Sequence, residues 1–528
     1  MPTATPDAAP TSALVLDGSP LSILDVEHVA RLGRPVALGE EGRSRLERSA
    51  RILARAADGG RPIYGVNTGF GSFARRRVEP AGLREVQRNL LRSHSAGSGP
   101  PLPRETVRAM LLLLAASLTR GCSGVRPEIV ERVAGLLSAG VTPVVPSLGS
   151  VGASGDLAPL AHACLVLLGE GEAELPTGER VPGSRALEVA GVEPTGLGPK
   201  EGLALINGTH LMAAEGALAI ADAERVFDAA LCAAAMSIDG CRATDAYLDP
   251  RVYSARNHPG PARVATRLRD LLEGSEVLPS HKEDDPRVQD PYSLRCCAYV
   301  IGAAGDLLQG VRQAVERELG AVTDNPLVFA PETDDDGAIP GDEAAARAES
   351  IVAAGNFHGA PIALPLDVMA IGLAHIAGIA ERRVYFTLAA TDPENHLHAH
   401  LAPHPGVESG FMVTQYTAAA ACNELIGLSA PASVANLPTC AGTEDYNSFG
   451  PRSAAKARRA VELARTVVAI ELLCAAEALE YHRPLRSGAG VERAHAAVRE
   501  SVSRLTADRS PAPDIRAIEE MIAAGRFR

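Results

Sequence analysis

The chain contains no tryptophan, and nine tyrosines with nine phenylalanines bring all aromatics to only 3% of its 528 residues. Apolar residues still make up 46%, so a substantial core has to be built from Ala, Leu and Val. No run of about 18 or more uncharged apolar residues occurs, which argues against a membrane-spanning helix. The opening MPTATPDAAPTSA lacks the basic stretch and apolar centre of an export signal, and residues 1–14 read as a disordered tail. Positive charge is in deficit: the formal net charge is −13, the wrong sign for nucleic-acid binding by counterion release. The nine cysteines, an odd number, show no paired spacing beyond the neighbours Cys296 and Cys297. They read as reduced thiols of a cytoplasmic protein and not as a disulfide framework.

Texture divides the remainder. Residues 15–205 are punctuated by Gly and Pro, with short apolar runs such as LVL and PVVP, and read as a mixed, turn-rich domain with some helices. One helix is signalled at SILDVEHVARLG, where Ser22 can cap. Residues 206–490 hold long Ala/Leu-rich segments: HLMAAEGALAIADAERVFDAALCAAAMSI, PLDVMAIGLAHIAGIAERRVYFTLAA and AAKARRAVELARTVVAIELLCAAEALEYH. Their apolar residues cover too much of the circumference for surface helices. The fold expected is therefore mainly α, a central bundle of long buried helices, followed by a C-terminal helical segment over 491–528. Polar irregular stretches between the helices, SHKEDDPRVQDPYSLRC, PETDDDGAIPGDEAA and ATDPENHLHAHLAPHPGVESG, are long enough to be functional.

The densest chemistry lies in PSLGSVGASGDLAPLAH, residues 146–162. Taken locally it is a Gly/Ser turn entering a helix, with Asp156 in the first turn and Pro159 just inside. The whole string resembles the cofactor loop of the aromatic amino-acid ammonia-lyases and aminomutases, in which Ala-Ser-Gly cyclises into a methylidene-imidazolone. The resemblance implies that the Gly155 nitrogen closes onto the Ala153 carbonyl. A side chain at 155 would crowd that closure, and Gly tolerates the strained backbone it requires. Ser154 is then a precursor that loses water and not a nucleophile. A helix N-terminus nearby would stabilise negative charge on the ring oxygen. Neither a metal nor an added cofactor is implied.

Further strings follow in the same family's order over roughly residues 15–490. In IYGVNTGFGSF the resemblance makes Tyr64 the base, on a mobile lid, that removes the β-proton. With an unperturbed pKa of about 10, it needs a site that lowers that value, and Arg295 is the candidate cation. LALINGTH supplies Asn207 for the amino-acid portion of the substrate and the cofactor. In RVQDPYSLRC, Gln289, Tyr292 and Arg295 are three apart, so one helical turn would align them. By resemblance Tyr292 assists the cofactor and Arg295 grips the substrate carboxylate with two hydrogen bonds. TDNPLVF and GNFHGAPIA are family strings too, placing Phe357 beside the cofactor ring. The implied fold is the helical one of the fumarase/aspartase-like superfamily, although the GSSxMPxKxN loop of fumarase itself is absent. The implied assembly is a homotetramer with shared sites, so Tyr64 and Arg295 can come from different chains.

Two positions address the substrate. Ser93 and His94 match the substrate-selecting pair as the histidine branch has it, and Glu444 in GTEDYNSFG matches that branch's carboxylate. A carboxylate can accept an imidazole N–H, whereas facing a phenyl ring it would be a buried charge without a partner. Thr443, Tyr446, Asn447 and Phe449 depart from the branch. Histidine is the expected substrate, with tyrosine, for a lyase or a 2,3-aminomutase, as the alternative and an inactive binding protein behind both. HLHAHLAPH, with His396, His398, His400 and His404, reads as a solvated loop, with a metal site as the less favoured alternative.

Overall fold

Ala and Leu are the strongest helix formers, and helices rich in both dominate the architecture. The computed structural model describes residues 11–57, 62–283, 285–329 and 350–528. Its longest helices are His210–Gly240, Cys297–Glu318, Ala360–Ala389 and Gly450–Glu480. Three of these are the Ala/Leu-rich segments anticipated above; Cys297–Glu318 and the shorter Met412–Leu428 are additional. Burial runs round most of the circumference of His210–Gly240 and Gly450–Glu480, whereas Cys297–Glu318 keeps a solvent face at Ala303, Leu307, Gln309 and Gly310. In the first of them Leu211, Met212, Ala214, Leu218 and Ile220 are all excluded from solvent. Ala360–Ala389 is long and apolar enough by composition to cross a membrane. However, Asp367 interrupts it near its start, and Ile362, Leu366, Met369, Leu373 and Ile376 are buried within the protein.

Contacts group the chain into two compact units. One takes the chain as far as Leu218 with Gln313–Leu366 and Pro431–Ala455; the other takes Ala219–Arg312, Asp367–Ala430 and Lys456–Arg528. Breaks fall inside each of the four long helices. This grouping differs from consecutive segments at 15–205, 206–490 and 491–528. The change of texture near 206 marks where buried helix begins, and a linear reading cannot register the returns of 313–366 and 431–455 to the first unit. The tail read over residues 1–14 lies outside the described residues as far as 10. Leu14, however, opens a strand, Leu14–Leu16, paired in parallel with Val36–Leu38. The segment PETDDDGAIPGDEAA also lies outside the described residues.

Within the first unit, the helix Ile23–Ala30 starts with the expected cap: Ser22 Oγ accepts the Asp25 N–H at 3.1 Å, completing a capping box. Helix Arg104–Thr119, AMLLLLAASL at its centre, is buried almost throughout. The pairing that matters for chemistry is antiparallel, Ser98–Pro101 with Pro146–Leu148. It ties the exit of helix Leu83–His94 to the entry of the loop that holds residues 153–155. The Gly97 N–H donates to His162 Nε2 at 3.0 Å and fastens the same junction.

Candidate active site

Residues 153–155 are the tripeptide from which the resemblance implies that a ring forms. Gly155 has φ +76°, where an L side chain is strained, and a Cβ there would collide with the Gly208 carbonyl. Gly208 embraces the tripeptide from both ends. Its N–H donates to Ser154 O at 3.3 Å and its carbonyl accepts the Asp156 N–H at 2.7 Å. Asn207 Nδ2 donates to the same Ser154 oxygen at 2.6 Å. Two donors thus converge on the oxygen that would become the ring carbonyl, so the residues present fit the group. Asp156 sits ahead of helix Leu157–Leu165 but caps a different one: its Oδ2 accepts the Leu211 and Met212 N–H groups at 2.8 and 3.1 Å. Complete burial pushes its carboxyl up to about 7 against the pull of those donors. On the other flank Phe449 N–H bonds Val151 O at 2.9 Å, and Ser448 packs so closely that Gly152 has no room for a Cβ.

Glu444 reaches this loop from 290 residues away in sequence, its Oε1 accepting the Ser154 hydroxyl at 3.3 Å. Its Oε2 accepts the Thr439 hydroxyl at 2.8 Å, which aims the carboxylate. Two of the expected residues feel its charge. His94 ends helix Leu83–His94, and its Nδ1 bonds the Leu90 carbonyl at 2.9 Å. Because a carbonyl only accepts, Nδ1 carries the proton and Nε2 keeps its lone pair. Burial lowers the His94 pKa, with Leu90 O and Glu444 opposing. Tyr64 lies half-buried at the head of the Gly-rich loop, its hydroxyl accepting the Gly71 N–H at 3.3 Å. Burial raises its pKa above the usual phenol value; the Gly71 bond opposes this, while Glu444 and Cys440 add to it. Arg295, the cation expected to lower it, is not among these groups. Phe357 is half-buried in a turn, and two residues on Gly359 packs against Ser448, the residue that closes over Gly152.

Gln289, Tyr292 and Arg295 belong to the second unit. The single helical turn expected to align them holds only in part. Tyr292–Arg295 is a four-residue helix, and the Arg295 guanidinium lies 4.9 Å from the Tyr292 ring centre. Gln289 precedes Pro291, which keeps the residue before it out of the helical region, so the helix begins too late to include Gln289. Tyr292 is 71% exposed, and the Arg295 Nε is buried without a partner. In the histidine-rich stretch, His398 Nδ1 bonds Ala402 O at 3.1 Å and its ring meets Tyr481 edge-on. Among the described residues no three of His, Cys, Asp and Glu gather as a metal site.

Residues 21–500 match the sequence profile of the family described as aromatic amino acid lyase. This chain belongs to that family. A histidine ammonia-lyase of Anaeromyxobacter dehalogenans is 46% identical over 520 residues, covering 97% of this chain and 99% of that one. Among solved structures, the histidine ammonia-lyase of Trypanosoma cruzi superposes with a TM-score of 0.87 at 35% identity, covering 97% of this chain and 94% of that one. A tyrosine aminomutase of Streptomyces globisporus gives 0.87 at 33% identity, with 98% and 97% covered.

Several residues of this lyase's candidate site were given no role in the site from the sequence. Ser150 Oγ donates to Gly155 O and Asp156 Oδ1, both at 3.2 Å, and Asp156 anchors the following helix. Both stand inside the 146–162 string, as Gly208 stands inside LALINGTH, so a signal existed. Cys440 had none, because it matters only where the fold returns it to Gly71, while Thr439 reaches Glu444 across a local turn.

Proposed function

We propose that this lyase eliminates ammonia from L-histidine to give trans-urocanate, with Ala153, Ser154 and Gly155 as the source of its electrophile. Closed into the ring, the tripeptide would supply an electrophilic methylidene carbon, the chemistry that would make ammonia a better leaving group. Glu444, set against the Ser154 hydroxyl at 3.3 Å, carries the choice of histidine, and one unpaired buried polar atom in each unit supports an amino-acid substrate. Asn207 Oδ1, an acceptor, and Arg295 Nε, a donor, are each left without a partner. An amino acid offers the two complements, an ammonium and a carboxylate, and a buried polar atom left unpaired costs on the order of 1–3 kcal/mol. Arg295 holds the carboxylate, and Asn207 and Gly208 draw charge toward the Ser154 oxygen. Tyr64 takes the β-proton, and Glu444 with His94 receives the imidazole.

A phenol with a raised pKa needs a cation before it can act as a base, and none is among the groups acting on Tyr64. We assign that cation to Arg295 of another chain, in a homotetramer with sites shared between subunits, where Tyr292 and Gln289 also serve. Self-association is supported by apolar side chains left in solvent: Val413, Tyr416 and Ile426 on helix Met412–Leu428, and Val434, Leu437 and Tyr446 beyond it. All nine cysteines are unpaired, which supports a cytoplasmic location.

The test is a product assay with histidine, tyrosine and phenylalanine offered separately and read by ultraviolet absorbance and mass. Urocanate from histidine alone is expected. Coumarate or β-tyrosine from tyrosine would overturn the histidine reading, and silence with all three would overturn every aromatic substrate considered. A second check concerns pH. Glu444→Gln removes the negative charge that raises Tyr64, so the Tyr64 pKa falls and the rise of kcat/KM that follows its ionisation moves to lower pH. Loss of a charge-assisted hydrogen bond, about 1.5–3 kcal/mol, should also cut kcat/KM for histidine about 10- to 100-fold. A pH–rate profile that stays in place or moves to higher pH would remove Glu444 from contact with the base.

A further inference from the structure

We propose that His210 is a positioning residue for maturation of the electrophile: its ring backs Gly208, and Gly208 holds Gly155 where its nitrogen can close onto Ala153. This rests on the reading of residues 153–155 as a ring precursor and extends it to a side chain outside the tripeptide.

His210 opens helix His210–Gly240 and is 4% exposed, yet neither ring nitrogen has a hydrogen-bond partner. Burying two unpaired polar atoms costs stability that an apolar ring of similar shape would keep. The ring's neighbours give it a use. A Cβ on Gly208 would collide with His210 Cε1 and stand 2.8 Å from Nδ1 and 2.6 Å from Thr323 Oγ1. The imidazole and the threonine hydroxyl therefore leave the Gly208 backbone no space to retreat into. Thr323 Oγ1 also accepts the Thr209 N–H at 3.3 Å, and the Thr209 hydroxyl donates to Glu318. Gly208 is in turn what Gly155 rests against, since a Cβ on Gly155 would meet the Gly208 carbonyl and stand 2.6 Å from its Cα. The two bonds from Gly208, to Ser154 O and from the Asp156 N–H, fix the peptide groups on both sides of Gly155. Displacement of Gly208 therefore displaces the attacking nitrogen.

Closure forms the bond from Gly155 N to the Ala153 carbonyl carbon. The Ala153 oxygen leaves as water, taking the protons of Gly155 N and Ser154 N. A second water leaves as Ser154 Oγ departs with the Ser154 Cα proton. No oxidant is needed. The first step depends on bringing two atoms of one tight loop together, and a misplacement of about 1 Å can cost about a hundredfold in rate. Burial keeps the His210 ring neutral, its pKa pushed down to about 4, so it acts by shape.

The experiment follows maturation itself. Wild type, His210→Ala and His210→Phe are made by timed cell-free synthesis. The peptide spanning residues 146–162 is weighed for loss of two waters, near-ultraviolet absorbance is recorded, and thermal unfolding is measured beside them. His210→Ala should mature about a hundredfold more slowly. His210→Phe, a ring without nitrogens, should mature near the wild-type rate and unfold at a higher temperature. A wild-type rate in His210→Ala would overturn the proposal, and so would a His210→Phe chain as slow as His210→Ala. Should His210→Ala fail to fold, His210→Leu carries the same test, and a wild-type rate there overturns it equally. A wild-type chain that never loses two waters would overturn the cofactor reading instead, which keeps the two failures apart.

Discussion

Ser154→Ala should fold as the wild type does and lose turnover by at least about a thousandfold, roughly 4 kcal/mol of transition-state stabilisation. The fold should survive because the loop is held by atoms the substitution leaves in place. The Ser154 carbonyl keeps its bonds from Asn207 and Gly208, and Gly152 keeps its contact with Ser448. What is lost is one hydroxyl, whose bond to Glu444 at 3.3 Å is long for an O–H···O contact. Activity should not survive, because the methylidene carbon can only come from loss of that hydroxyl. Circular dichroism, near-ultraviolet absorbance and turnover decide the matter together: an unchanged fold, no cofactor absorbance and no product are expected. Substantial turnover in this variant would sink the mechanism. Tyr64→Phe is the complementary arm. It should keep the absorbance and lose the reaction, since it removes only the hydroxyl that accepts the Gly71 N–H. Absorbance lost with activity would move Tyr64 from proton transfer to maturation.

What could be read in advance and what could not divides along sequence distance. Ser22 and Asp25 cap one helix within a few residues, and that signal was visible locally. The long Ala/Leu-rich helices were legible because one property, apolar residues round most of the circumference, is written along each segment. Helix Met412–Leu428 was not, because its exposed Val413, Tyr416 and Ile426 mix with its buried Leu425 and leave no clean periodic stripe. The site follows the same rule. Ala153, Ser154, Gly155 and Asn207 were read inside compact strings, and the fold brings them within hydrogen-bond distance of one another. Glu444 was read by its residue type, but its contact with Ser154, 290 residues away, is a product of tertiary structure. Gln289 shows the opposite error: a spacing of three suggested one helical face, and Pro291 ended that face before it began. The expected cation beside Tyr64 is a subtler case. The chemistry called for a positive charge, but the surroundings supply burial and a carboxylate, so under the proposed function a second chain would have to supply it.

Arg383→Met should cost about 3–5 kcal/mol of stability, the usual penalty for removing one partner of a buried ion pair. Arg383 and Glu471 are 0% and 1% exposed and meet through two bonds, Nε to Oε1 at 2.5 Å and a terminal nitrogen to Oε2 at 2.9 Å. Ser237 Oγ donates to the same carboxylate at 2.7 Å, so every strong partner of Glu471 is fixed in place. Without the guanidinium, a carboxylate with one hydroxyl for company remains in the core. Arg383 has a further consequence for the site, because its third nitrogen donates to Ser293 O at 3.2 Å, inside the short helix that carries Tyr292 and Arg295. The variant should therefore lower the unfolding midpoint and, in the fraction still folded, raise KM for histidine more than it lowers kcat, since the carboxylate grip proposed for Arg295 would act in the ground state as well. Arg383→Met combined with Glu471→Leu separates the two effects. An apolar pair in place of a buried ion pair is commonly neutral or stabilising, so the double variant should recover most of the midpoint. It still lacks the donor to Ser293, so KM should stay high. If the double variant restores KM along with the midpoint, Arg383 is a core ion pair and nothing more, and the Ser293 bond does not position Arg295.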